Sequence, residues 1–119
     1  MKHILIVDDE DEIRSMYKDL LREEGFGTFE ASTAGEALNT LIKNDKIDLV
    51  LLDINMPEIK GDYIFEIIEE YNPKIKVIIS SAYSEEDQKQ LIEKAAYFHD
   101  KSNGVDDLLG KIKDCLALK

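Results

Sequence analysis

The chain has 119 residues, 44% of them apolar, which suffices for one packed core and leaves no room for a second ordinary domain. A single cysteine, Cys115, excludes an intramolecular disulfide, and no apolar run reaches the roughly 20 residues of a membrane span. Fifteen basic against 26 acidic residues give a net charge of −11, a sign that repels phosphate backbones and anionic lipids and argues against direct nucleic-acid or membrane binding.

Short apolar runs alternate with segments of helical period. His3 to Val7 is apolar on both faces, as a strand covered by helices on each side must be. Asp8 to Asp11 interrupts it, and Ile13, Met16, Tyr17, Leu20 and Leu21 form one helical stripe that stops at Gly25. Phe26 to Ala31 reads as a more polar second strand, followed by a helix carrying Ala34, Ala37, Leu38, Leu41 and Ile42. Leu49 to Leu52 is the third strand and ends at Asp53. Beyond the Met56-Pro57 turn and Gly61, a helix carries Ile64, Phe65, Ile67, Ile68 and Tyr71. Ile75 to Ile79 is the fourth strand, with Ser80 and Ser81 at its end. Residues 85 to 95 have a thin helical stripe of Leu91, Ile92 and Ala95. Ala96 to Phe98 makes a fifth strand, and Val105, Leu108, Leu109, Ile112 and Leu116 mark a final helix. The N-terminus lacks the apolar core and cleavage site of a signal peptide, so a cytoplasmic location is expected.

Five βα units in succession predict an α/β fold, a doubly wound parallel sheet with helices on both faces. The common flavodoxin-like order for five strands is 2-1-3-4-5, and ligands then bind beyond the carboxyl ends of strands one and three. Asp8-Asp9 and Asp53 stand at those two ends. Several carboxylates in one dry place cannot all stay ionised without a counter-charge. Oxygen donors of this kind suit Mg²⁺, which also keeps sites open for phosphate oxygens. A carboxylate there can act as a nucleophile and become an acyl phosphate. Ser81 after strand four and Lys101 after strand five add a hydroxyl and a cation that can contact phosphate.

Each residue alone has a plainer reading. Asp8-Asp9 can cap the first helix; Asp53 and Ser81 can be turn residues; Lys101 can be a solvated lysine. The joint placement of acid pair, acid, hydroxyl and lysine at successive strand ends carries the chemistry. Cys115 reads as a buried or partly buried thiol, and neither His3 nor His99 as a phosphotransfer histidine.

Ile4 to Asp9, Asp48 to Pro57 with Gly61, Val77 to Ala82, and Phe98 with Lys101 together resemble the receiver domains of two-component response regulators, over essentially the whole chain. The resemblance implies that residues 1–119 form one receiver whose Asp53 accepts a phosphoryl group from a sensor histidine kinase or a histidine phosphotransfer protein. It further implies that Mg²⁺ is held by Asp9, Asp53 and the backbone carbonyl of Asn55, with Asp8 acting through water. Ser81 would follow the phosphoryl oxygen and Lys101 would pair with it. Phe98, otherwise an ordinary core aromatic, would turn inward on activation and alter the face made by the 85–95 segment, the fifth strand and the last helix. Asn55 and Tyr83 would tune hydrolysis. Such a protein turns over no substrate beyond its own phosphoryl group, and it signals to a downstream protein that the sequence does not name.

Two positions depart from the family pattern. Ser102 follows Lys101 where proline is usual, and a cis bond before a non-proline residue costs about 2.5–4 kcal/mol. A trans bond is therefore expected, with a different path for the loop carrying Lys101. Lys94 stands where glycine is usual. Two other classes compete. A phosphatase of the haloacid-dehalogenase type needs D-x-D at the end of the first strand, whereas this chain has Asp8-Asp9. A receiver-fold interaction module without phosphorylation would normally have lost an acid. No output domain follows in this sequence, which fits a diffusible chemotaxis-like regulator, a phosphorelay intermediate or a receiver from a longer regulator.

Overall fold

The computed structural model describes residues 1–54, 61–82, 84, 86–87 and 97–117. Its elements are β1 (His3–Val7), α1 (Asp11–Glu23), β2 (Gly27–Ala31), α2 (Ala34–Lys43), β3 (Ile47–Asp53), α3 (Gly61–Tyr71), β4 (Lys76–Ser81), β5 (Tyr97–Asp100), a 3₁₀ turn (Lys101–Asn103) and α4 (Val105–Cys115). All strands pair in parallel in the order β2-β1-β3-β4-β5, the order expected from the sequence.

The alternation of side chains along each strand divides the core in two. Leu5, Val7, Val50, Leu52, Val77 and Ile79 point to one face, where Ala37 and Leu41 of α2 and Ile64 and Ile68 of α3 cover them. Ile4, Ile6, Leu49, Leu51 and Ile78 point to the other, under Tyr17 and Leu21 of α1 and Leu108 and Ile112 of α4. Both faces being covered is why the central strands are apolar without alternation.

Local chemistry places the helix ends. Gly25, at φ +90°, stops α1. Its N–H donates to Arg22 and that of Phe26 to Leu21, a Schellman arrangement closed by contact of Phe26 with the core around Leu21. Thr33 caps α2 by accepting from the Glu36 N–H at 3.1 Å.

Several boundaries differ from the sequence reading. β3 begins at Ile47, because a bulge lets Asp48 accept the His3 N–H at 2.8 Å while Ile47 pairs with His3. Ser80, Ser81, His99 and Asp100 belong to the strands themselves, pairing Ser80 with His99 and Ser81 with Asp100. The apolar runs end these strands at Ile79 and Phe98, with Ser80 and Ser81 at the end of the fourth. Met16 and Ile42, assigned to apolar stripes, are 47% and 66% exposed. The expectations for Asn55, Met56, Pro57, Tyr83, Leu91, Ile92, Lys94, Ala95 and Ala96 lie outside the described residues.

Ile6 is fully buried on a central strand between α1 and α4. Ile6→Ala is expected to lower unfolding free energy by about 3 kcal/mol, read as a fall in the urea midpoint without loss of the folded baseline.

Candidate functional site

The carboxyl ends of β1, β3, β4 and β5 meet at one edge of the sheet. Val7 pairs with Leu52, which brings Asp8, one residue on, to the flank of Asp53. Asp53 pairs with Ser80, and Ser80 with His99, so these three form a polar row across neighbouring strands. Asp8 and Asp53 are each only 2% exposed. Two buried carboxylates require a counter-charge, and Lys101 brings it from 93 residues away in sequence. Its Nζ donates to Asp8 Oδ2 at 2.9 Å and lies 3.5 Å from Asp53 Oδ2. Burial pushes the lysine pKa down, but the hydrogen bond to Asp8 and the charges of Asp53 and Asp8 outweigh it, and the net shift is upward. The ammonium is held charged inside the acid cluster.

The β1–α1 loop is built to present its acids. Asp8 Oδ1 accepts the Glu10 N–H at 2.9 Å, closing a small turn. Arg14 Nη1 donates to the Asp8 carbonyl at 2.8 Å and Nη2 to Asp11 at 2.6 Å. Glu10, not Asp8 or Asp9, is the N-cap residue of α1, and its side chain makes no capping hydrogen bond. Asp8, Asp9 and Glu10 each offer a carboxylate oxygen, all within 4.8 Å of one another, with Asp8 buried and the other two exposed. This all-oxygen donor set fits a hard cation such as Mg²⁺. Glu10 was not among the ligands expected from the sequence.

Ser81 is fully buried at the end of β4. It shares a face with Phe98, which pairs with the preceding same-face residue Ile79. Phe98 is 5% exposed and sits in the core on the α2–α3 side. The backbone carbonyl of Asn55 falls outside the described residues. The bond before Ser102 is trans, as expected.

The edge of the site also contains residues the sequence did not flag. Tyr17, read as plain core, is buried on α1. Burial raises its phenol pKa, while Lys101 and Ser80 pull the other way. Ser80 Oγ makes no hydrogen bond of ordinary geometry among the described residues, although the Tyr17 phenol is near enough to feel it. A tyrosine on an apolar stripe and a serine in a strand carry no signal in sequence, because their partners come from other elements.

The family model for the response regulator receiver domain matches residues 4–113. The chain belongs to the response-regulator receiver family. Sporulation initiation phosphotransferase F of Bacillus subtilis is 36% identical to this receiver over 118 residues, covering 98% of the chain and 94% of the relative. Among solved structures, response regulator TrrA of Thermotoga maritima in complex with Mg(2+)-BeF is 36% identical, with a TM-score of 0.87 and coverage of 97% of this chain and 99% of that one. TrrA in complex with histidine kinase ThkA gives 37% identity and a TM-score of 0.88, covering 98% and 99%. The receiver is thus the receiver domain of a two-component response regulator. No helix among its described residues is long and apolar enough to cross a membrane.

On the far side of the polar row, His99 is 1% exposed and its Nδ1 lies 3.1 Å from Asp107 Oδ2 of α4. Burial lowers the His99 pKa below its usual 6.5, opposed by the Asp107 hydrogen bond and reinforced by Lys111. A base with a lowered folded pKa is neutral in the fold, so stability is complete above pH 6.5 and is lost as the unfolded chain takes up the proton below it. Relative to His99→Leu, the native protein is expected to lose stability progressively as pH falls from 6.5 toward its folded pKa. Urea midpoints of both proteins at each pH read this difference, which includes the part of the Asp107 shift that depends on His99.

Proposed function

We propose that this receiver is a phosphoacceptor switch in which Asp53 takes a phosphoryl group in a Mg²⁺-dependent reaction. The observation that carries the reading is the Lys101 ammonium seated on Asp8 and Asp53, which brings three predicted residues from distant strand ends to one place. The donor is a sensor histidine kinase or a histidine phosphotransfer protein, in keeping with the kinase complex of TrrA and the phosphotransferase name of the Bacillus relative.

In the reaction an Asp53 carboxylate oxygen forms a bond to phosphorus. The donor's bond to phosphorus breaks, its electron pair leaving on the donor. Asp8, Asp9 and Asp53, with the carbonyl of Asn55, would hold Mg²⁺, Asp8 through water. Bound there, the metal supplies neutralisation of the charge on the transferred group. Lys101 is already charged and close to Asp53, so it needs only to exchange a carboxylate for a phosphoryl oxygen. Ser81 takes another phosphoryl oxygen, and Phe98 reads that movement in the core beside it. The two states then differ in the face containing the 85–95 segment, β5 and α4, with phosphate favouring one of them. Residues 1–119 act as one such domain in the cytoplasm, without turnover of external substrates.

The competing reading, an interaction module without phosphorylation, drew on the departures at Lys101-Ser102 and Lys94; the Lys101 ammonium at 2.9 Å from Asp8 Oδ2 favours the phosphoacceptor, and Lys94 lies outside the described residues. Incubation with acetyl phosphate and Mg²⁺ is expected to add one phosphoryl mass to the intact protein, with none gained by Asp53→Asn or in EDTA. An adduct on Asp53→Asn, or none on the native chain, contradicts the assignment. Turnover of small phosphomonoesters would point instead to a phosphatase.

A further inference from the structure

Lys101 reaches the acids although the residue after it is serine, so something other than a proline ring must hold its turn. Proline stiffens a turn by locking φ. Serine leaves φ free, but it supplies two donors, a backbone N–H and a hydroxyl. Both are captured by one neighbouring oxygen. Asp100 Oδ1 accepts the Ser102 N–H at 2.9 Å and the Ser102 O–H at 2.6 Å, capping the 3₁₀ turn Lys101–Asn103 from in front. Behind it, Gly104 at φ +86° donates its N–H to the Lys101 carbonyl and redirects the chain into α4. The strand before the turn is tied to the same helix by the His99–Asp107 contact. Lys101 is thus fixed at both ends of a three-residue turn, with its side chain directed to Asp8 and Asp53.

We propose that Asp100 and Ser102 are positioning residues for Lys101, a side-chain clamp that orders the turn so that the ammonium meets the phosphoacceptor site. The clamp rests on the role given to Lys101 in the proposed phosphorylation. Neither residue touches the reacting atoms. Asp100 is held ionised by the two hydrogen bonds from Ser102, which lower its pKa. Ordering of the turn before reaction removes conformational freedom that the lysine would otherwise lose during transfer.

The test uses the full chain, with acetyl phosphate and Mg²⁺ as the phosphorylation probe and hydrogen exchange at the Ser102 amide as a readout independent of activity. Asp100→Ala is expected to lose Ser102 amide protection and to phosphorylate about tenfold more slowly, short of the ~100-fold that a misplacement of one ångström can cost. Asp100→Asn keeps the accepting oxygen and is expected near the native rate. Ser102→Ala, which loses one of the two bonds, is expected to slow about threefold, and it keeps the comparison available if Asp100→Ala folds poorly. In a Lys101→Ala background, adding Asp100→Ala is expected to change nothing further, which a merely structural role would not predict. The clamp is overturned if Asp100→Ala loses amide protection yet keeps the native rate, or if its effect persists in full without Lys101. If Lys101→Ala alone phosphorylates normally, the role given to the lysine fails and the clamp falls with it. A slow Lys101→Ala beside a normal Asp100→Ala overturns the clamp alone.

Discussion

The ammonium of Lys101 between the buried carboxylates of Asp8 and Asp53 is the interaction on which the rest of this structure depends. Two acids, each 2% exposed, meet at the end of a parallel sheet, and the lysine brings a positive charge to both. Removing one partner from such a buried group costs about 3–5 kcal/mol, because a charge is left without its counterpart. The remaining features serve this placement. β1 and β3 lie side by side and bring the acids together. The turn after β5 returns a lysine from the far end of the chain.

The same arrangement explains why the core around the site is less economical than the core below it. Leu51, Leu52, Ile78 and Ile79 pack without polar atoms, while one pleat further on the strands carry Asp53, Ser80, Ser81 and His99. Polar groups at this depth cost free energy unless paired, and Ser80 lacks an ordinary hydrogen bond among the described residues. An apolar layer would be more stable but could receive neither a cation nor a phosphoryl group. Cys115, at the opposite end of α4, has no such task. It is a buried thiol whose pKa is raised by burial.

The sheet was legible because its signal is local. Strand runs such as Ile4 to Val7 and Leu49 to Leu52 are apolar on both faces, and that pattern admits few architectures. The acids were legible because the doubly wound order dictates which strand ends meet. Boundaries at Ser80 and His99 were not, since polar residues at a strand end resemble a turn until their cross-strand partners are known. Met16 and Ile42 fit a helical stripe by spacing, yet α1 and α2 present them to solvent. The path of Lys101 was the least legible feature. Ser102 in place of proline left the path of this loop open, and the bonds from Ser102 to Asp100 accompany a turn that brings the lysine to Asp8 and Asp53. Tyr17 joins the edge of the site only through folding, whereas Glu10 follows Asp8-Asp9 directly and was passed over although it is a carboxylate.

The most direct test of this account is the side-chain NMR of Lys101, followed through its Cε and Nζ resonances as Mg²⁺ and beryllofluoride are added to the labelled protein. The account predicts that Lys101 moves from its carboxylate partners to the phosphoryl mimic. Its resonances then shift strongly while those of solvent-exposed lysines such as Lys2 stay in place. If the adduct forms and the Lys101 resonances remain unchanged, the ammonium is only a structural counter-ion and the central claim is wrong.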